Sequence, residues 1–192
     1  ESRRGMFFVG NFQHRPNAEA LNHLCRDILP HLDPDLLHEH PVYVAGSNLS
    51  ESQLAVAAGC PGVRVVGWVP SVLPYLERVR VSLIPLLNGA GTKRKMIQSL
   101  SIGTPTVSTS IGVEGFPLAD ERNVLVADDP VAFASGIARL LTDEESWRRL
   151  ATFGRETIRE GHSHAVARRR LLSTLEAIRT RPGRRPSQAA AR

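Results

Sequence analysis

The sequence predicts an α/β fold of three layers, with a six-stranded, mainly parallel sheet between two layers of helices. Three observations predict it. Short apolar runs recur along the chain, among them Phe7-Phe8-Val9, Val42-Tyr43-Val44 and Val81 to Ile84. They are apolar on both faces, as strands covered on two sides are. Segments with apolar residues at helical spacing separate them. Several runs end in glycine, at Gly10, Gly46 and Gly67, where a backbone can approach a ligand closely.

The elements follow in order. Met6 to Val9 is the first strand, ended by Gly10-Asn11. Pro16 leads into a helix that Asn17 caps and that runs from about 18 to 29, with Leu21, Leu24 and Ile28 inward. Leu32, Leu36 and Leu37 form a weaker helical segment. Pro41 to Gly46 and Gly62 to Gly67 are strands, with a short helix from Glu51 to Ala58 between them. Leu73 to Arg78 is another short helix. Val81 to Ile84 is the fourth strand, stopped by Pro85. Gly89-Ala90-Gly91 is a turn of small residues, and Thr92 caps a helix carrying Met96, Ile97 and Leu100. Gly103 closes that helix in the left-handed conformation and Pro105 prevents its resumption. Thr106 to Ser108 is the fifth strand. A loop from Thr109 to Asn123 precedes the sixth, Asn123 to Val126. An acid of Asp128-Asp129 caps the next helix, with Pro130 in its first turn. Thr142-Asp143 caps another, with Trp147, Leu150, Ala151 and Phe153 inward. A last helix from about 164 to 178 carries Val166, Leu171, Leu172, Leu175 and Ile178.

The 192 residues suit one large domain, spanning 1–178, followed by an Arg- and Pro-rich tail, 179–192. The composition of that tail predicts disorder. The net charge of +5 invites a nucleic-acid reading. Its location argues otherwise, because Arg179, Arg181, Arg184, Arg185 and Arg192 account for all of it. No aromatic residue is interleaved with them, so nucleic acid is not expected as a partner. Peripheral contact with an anionic membrane face is the alternative partner for this tail. No apolar run reaches the ~20 residues of a membrane span. The two cysteines, Cys25 and Cys60, form no CxxC pair and no metal-ligand spacing. Both are expected to be reduced and semi-buried in a cytoplasmic protein.

The stretch from Val81 to Ser108 carries the most chemistry. A glycine turn that opens a helix presents free backbone N–H groups at the positive end of the helix dipole, and these favour a phosphate. Lys93 and Lys95 follow directly. A cation there opposes the dipole, and an anionic ligand would offset that cost.

The order VGNF, YVAGS, VVGWV, IPLLNGAGTKRKMIQSLSIGTPTVSTSIGVEG and NVLVADDP resembles the carboxyl-terminal half of a group 1 (family 4) glycosyltransferase, over residues 6 to 178. The block from Pro85 to Gly115 is the specific part. The resemblance implies a Rossmann-like domain that is one half of a GT-B enzyme and holds the nucleotide sugar. An amino-terminal acceptor-binding domain would complete the enzyme, so the isolated domain is expected to bind donor weakly and transfer nothing. The implied activity is retaining glycosyl transfer in surface polysaccharide or glycolipid synthesis, in the cytoplasm or at the inner membrane face.

Residue roles follow from the matched positions. Gly10 and the loop after it match donor-phosphate contacts, with Arg15 as the nearby cation. Gly89, Ala90, Gly91 and Thr92 match the diphosphate-binding turn, joined by Lys95. Trp68 and Val69 match the loop that touches the base. Lys93 and Gln98 are the catalytic candidates, Lys93 for the departing diphosphate and Gln98 for hydroxyls, including those of the ribose. Gly91, Lys95 and Gln98 are expected on one helical face. The family commonly carries two glutamates eight positions apart, where this chain has Ala90 and Gln98. Gln98 can still bond hydroxyls as donor and acceptor, whereas Ala90 cannot replace a carboxylate. The departure marks a subfamily with a small-residue turn or a degraded site, and the intact turn and lysines favour the first. No Asp-rich motif appears, so neither a metal nor another cofactor is expected. His162 and His164 are expected at the surface. A non-catalytic Rossmann-like module that binds nucleotide or a partner is the alternative reading. A nicotinamide-dependent dehydrogenase is disfavoured, since GNFQHR and not GxGxxG follows the first strand.

Overall fold

The computed structural model of the chain describes residues 3–179. Six strands form one sheet: β1 (Met6–Asn11), β2 (Val42–Ser47), β3 (Val63–Gly67), β4 (Val81–Ile84), β5 (Thr106–Ser108) and β6 (Leu125–Val126). Their order is β3-β2-β1-β4-β5-β6, and every pairing is parallel. The helices are α1 (Arg15–His23), α2 (Pro34–Glu39), α3 (Glu51–Ala58), α4 (Leu73–Arg78), α5 (Arg94–Ile102), α6 (Ser110–Val113), α7 (Pro130–Thr142), α8 (Glu144–His162) and α9 (His164–Arg179).

Alternation along β1 explains the layers. Met6 and Phe8 enter a large core with Leu21 of α1, Leu24 just after it and Ile137 of α7. Phe7, between them, points the other way and joins Ala45, Leu76 and Val79. All three β1 side chains are fully buried, as a sheet covered on both faces requires. Buried hydroxyls fix α5 to its strand: Ser99 Oγ donates to Ser82 Oγ at 2.7 Å. On the opposite rim Trp147 of α8 donates through Nε1 to the Arg80 carbonyl, 2.8 Å away. Its ring lies 5.4 Å from the Arg80 guanidinium and 5.5 Å from that of Arg3.

Several expected boundaries are corrected. Asn17 does not cap α1; the cap is His14, without a side-chain bond, and Asn17 lies in the first turn. Pro16 is pre-shaped for that turn and needs no donor there, so the helix starts ahead of it. The helix does not run unbroken to residue 29. It widens into a π-helical turn, Leu24–Ile28, then a 3-10 turn, Leu29–His31, because Pro30 cannot extend an α-helical ladder. Thr92 does not cap α5 either: it is exposed, and Lys93 is the residue before the helix. The loop after β5 contains α6, whose first turn is capped by Thr109. Asp129 caps α7 and Asp143 caps α8, as acids there should.

Phe153 is exposed, and the inward positions of α8 are Leu150, Gly154 and Ile158. Among the described side chains of α9 Val166 is the buried one; from Ala167 to Arg179 every residue is exposed, including Leu171, Leu172, Leu175 and Ile178. His162 is half-buried against Phe116, with ring centroids 5.2 Å apart, and is not a surface histidine. The side chain of His164 and residues 180–192 of the predicted tail lie outside what is described, and Arg179 belongs to α9. No helix among the described residues is long and apolar enough to cross a membrane.

Candidate functional site

β1 pairs with β2 on one side and β4 on the other, so the order of connection reverses between β1 and β4. In open parallel sheets the crevice beyond the carboxyl ends of such strands is where ligands bind. Here it lies between Gly10-Asn11 and the loop from Pro85 to Lys93.

The loop is fastened on two sides. Asn88 donates to Glu19 of α1, and an atom added at Gly89 would lie 3.5 Å from Pro16. On the other side Lys93 approaches Glu114, N to O 3.8 Å, and Thr92 approaches Gly115. Lys93 is buried, and its ammonium donates to the carbonyls of Gly89, at 3.2 Å, and Gly91, at 2.6 Å. It therefore organises the turn from within. That contact also explains why α5 starts late: the chain stays extended through Lys93 while its side chain folds back.

Lys95 occupies the crevice itself. Its Nζ donates to Asn17 Oδ1 at 2.8 Å and lies 5.1 Å from the centre of the Phe8 ring. Asn17 in turn donates to the Asn11 carbonyl at 2.9 Å, and a methyl at Gly10 would press on Asn17 at 2.7 Å. Lys95 thus sits at the end of β1, beside Gly10. Burial, and secondarily the charge of Lys93, lower its pKa to about 7. Among the described residues no carboxylate bonds it; its partners are an amide oxygen and an aromatic face.

The crevice thus gathers Gly10, Gly89, Ala90, Gly91, Thr92, Lys93 and Lys95. Arg15 is at the rim, largely exposed and bonded to Glu19 at 2.5 Å. Gln98 is half-buried on α5, about one turn below Lys95. Gly91 precedes α5 in a loop with φ +77°, so it does not share a helical face with Lys95 and Gln98. Trp68 and Val69 follow β3, two strands from β1, about 10 Å across the sheet. Trp68 is 71% exposed, while Val69 packs against the Phe7 cluster.

Asn11, Asn17, Glu19, Asn88 and Glu114 also build this site, though none was given a ligand role by the matched motifs. Position was the available signal: Asn11 and Asn88 each stand beside a glycine at a strand end. Among the described residues no group of three or more His, Cys, Asp or Glu side chains could hold a metal ion.

The family described as "Glycosyl transferases group 1" matches residues 3–143. Comparison with curated proteins gives no match. Solved structures share the fold at low identity. A glycosyltransferase from Rickettsia africae superposes with TM-score 0.76 at 12% identity, over 95% of this chain and 50% of that one. HepE from Anabaena in complex with UDP gives 0.75 at 11%, over 91% and 49%. A TarM mutant from S. aureus, in complex with fondaparinux, α-GlcNAc-glycerol and UDP, gives 0.73 at 14%, over 88% and 35%. The chain therefore spans half or less of the length of these structures.

Proposed function

The chain belongs to the group 1 glycosyl transferases, and from that premise we propose that its crevice holds the diphosphate of a nucleoside-diphosphate sugar. The observation that carries this reading is Lys95: a cation with a lowered pKa, paired with no acid among the described residues, beside the glycine end of β1 and next to the turn from Gly89 to Thr92. An anion placed there restores its charge. The UDP in the HepE and TarM structures supports a nucleotide as the ligand class.

Under this reading the turn amides and Lys95 hold the diphosphate, and Lys93 keeps the turn in shape. Trp68 and the backbone at Val69 meet the base, and Gln98 bonds the ribose hydroxyls. The anomeric carbon loses its bond to the diphosphate, which leaves with the electron pair. The same carbon bonds the acceptor oxygen, which gives up its proton, with retention of configuration. Positioning and electrostatics dominate such a step, and the lysines supply the positive charge without a divalent cation. An amino-terminal domain brings the acceptor, and the isolated chain does not turn over. The setting is surface polysaccharide or glycolipid synthesis in the cytoplasm, with the arginines beyond Arg179 touching an anionic inner membrane face.

Calorimetric titration of the chain with UDP and GDP tests the central claim. One of them is expected to bind, and Gly91→Val to weaken it about five- to tenfold. Gly91 has φ +77° and open space around it, so a branched residue strains the turn without a clash at about 1–2 kcal/mol. Absence of binding by both nucleotides would sink the proposal.

A further inference from the structure

At the opposite pole of the sheet, Cys25 and Cys60 come together. Cys25 belongs to the π-helical turn Leu24–Ile28, and Cys60 to the loop between α3 and β3. Both are buried and free. Cys60 Sγ lies 3.6 Å from the Cys25 carbonyl oxygen. The two thiols also share the wall between two hollows. One, of about 610 Å³, is lined by Leu29, Pro30, Leu37 and Pro61 as well as the thiols. The other, of about 790 Å³, is lined by Asn22, Ser52 and Gly59 with the same two thiols.

We propose that Cys25 and Cys60 form a reversible intramolecular disulfide, made by exchange with a small-molecule disulfide that enters through these hollows. The Cys60 thiolate attacks the small disulfide, forms a mixed disulfide and releases one small thiolate. Cys25 loses its proton to that thiolate and attacks Cys60 Sγ, expelling the second small thiolate, which takes up the proton that Cys60 had released. Two protein thiols and one small disulfide become one protein disulfide and two small thiols. The roles follow from the environment. The neighbouring Cys25 thiol favours the thiolate of Cys60, while the same neighbour and burial push Cys25 up. Cys25 lies in a π-helical turn, an irregular stretch of the helix of the kind that often marks a functional position. The bond closes the loop from residue 25 to residue 60 and staples the end of the first helical segment to the start of β3.

The test treats the native chain with glutathione disulfide. The chain is expected to release two glutathiones, lose the mass of two hydrogen atoms, gain no interchain cross-link and melt at a higher temperature. A digest should contain one peptide pair joined through Cys25 and Cys60, and dithiothreitol should reverse every change. Cys25→Ser should instead retain one glutathione on Cys60, and Cys60→Ser should react about tenfold more slowly than Cys25→Ser. Wild-type chain that ends with glutathione attached, cross-links to a second chain or keeps both thiols titratable overturns the proposal, whether or not the variants fold.

Discussion

Gly46→Ala is expected to destabilise the fold by about 4 kcal/mol or more, lowering the thermal midpoint by about 10 °C at this chain length. Gly46 is paired with Gly10 across β2 and β1. Its φ is +148°, and a Cβ there would stand 1.7 Å from the Gly10 carbonyl oxygen. That neighbour is backbone in a parallel ladder, so no side-chain rotation relieves the overlap. Either β1 or β2 must move at its carboxyl end, the floor of the crevice. Nucleotide binding should therefore be lost with stability. Gly161→Ala is the control. It lies in α8 with nothing within 4 Å of the added atom, and alanine in a helix should gain about 0.5–1 kcal/mol. Equal thermal midpoints for the Gly46→Ala chain and the wild type would contradict the close packing of the two strand ends.

Lys95→Met is expected to weaken nucleoside diphosphate binding about 10- to 100-fold, the range for losing a charge-assisted hydrogen bond of about 1.5–3 kcal/mol. It should leave the thermal midpoint at pH 7 unchanged or raised, since the cost of burying an ammonium disappears. The pH dependence separates this from a steric effect. The free Lys95 has a pKa of about 7, and a bound diphosphate raises it. Below pH 7 the site is already charged, and affinity is at its plateau. As pH rises above 7, binding must take up a proton, so affinity falls until pH passes the pKa of the complex. The phosphate, with a pKa of about 6, is already ionised in that window and adds no opposing slope. Titrations in two buffers of different ionisation enthalpy at pH 8 should show proton uptake by the wild type and none by Lys95→Met. A flat affinity from pH 7 to pH 9 in the wild type would remove Lys95 from the diphosphate site.

The strands were legible because their apolar runs are short, bounded and two-sided. Val81 to Ile84 and Thr106 to Ser108 lie where those runs lie. The glycine turn was legible for the same local reason. The burial of Lys93 and the partial burial of Lys95 were not. Lys95 finds Asn17 seventy-eight positions away, and Lys93 folds back on carbonyls whose side chains carry no signal. A residue string shows two cations at a helix start, and only the folded crevice removes much of their water. Helix α6 escaped notice because four residues cannot display a 3.6-residue period. The leucines of α9 show the limit of periodicity in the other direction: Leu171, Leu172, Leu175 and Ile178 mark one stripe, and the pattern does not say whether this chain covers it.

The two tryptophans give the protein two optical environments that can be read separately. Trp147 is held between two guanidinium groups with its indole nitrogen bonded to Arg80, whereas Trp68 stands in water at the end of β3. Trp68 should emit at longer wavelength and be quenched readily by iodide, and a purine or pyrimidine stacked on it should darken it. Trp147 should keep its emission until α8 separates from β4. One emission spectrum would then report on the surroundings of Trp68 at the end of β3 and on cohesion at the far rim independently, without an added dye.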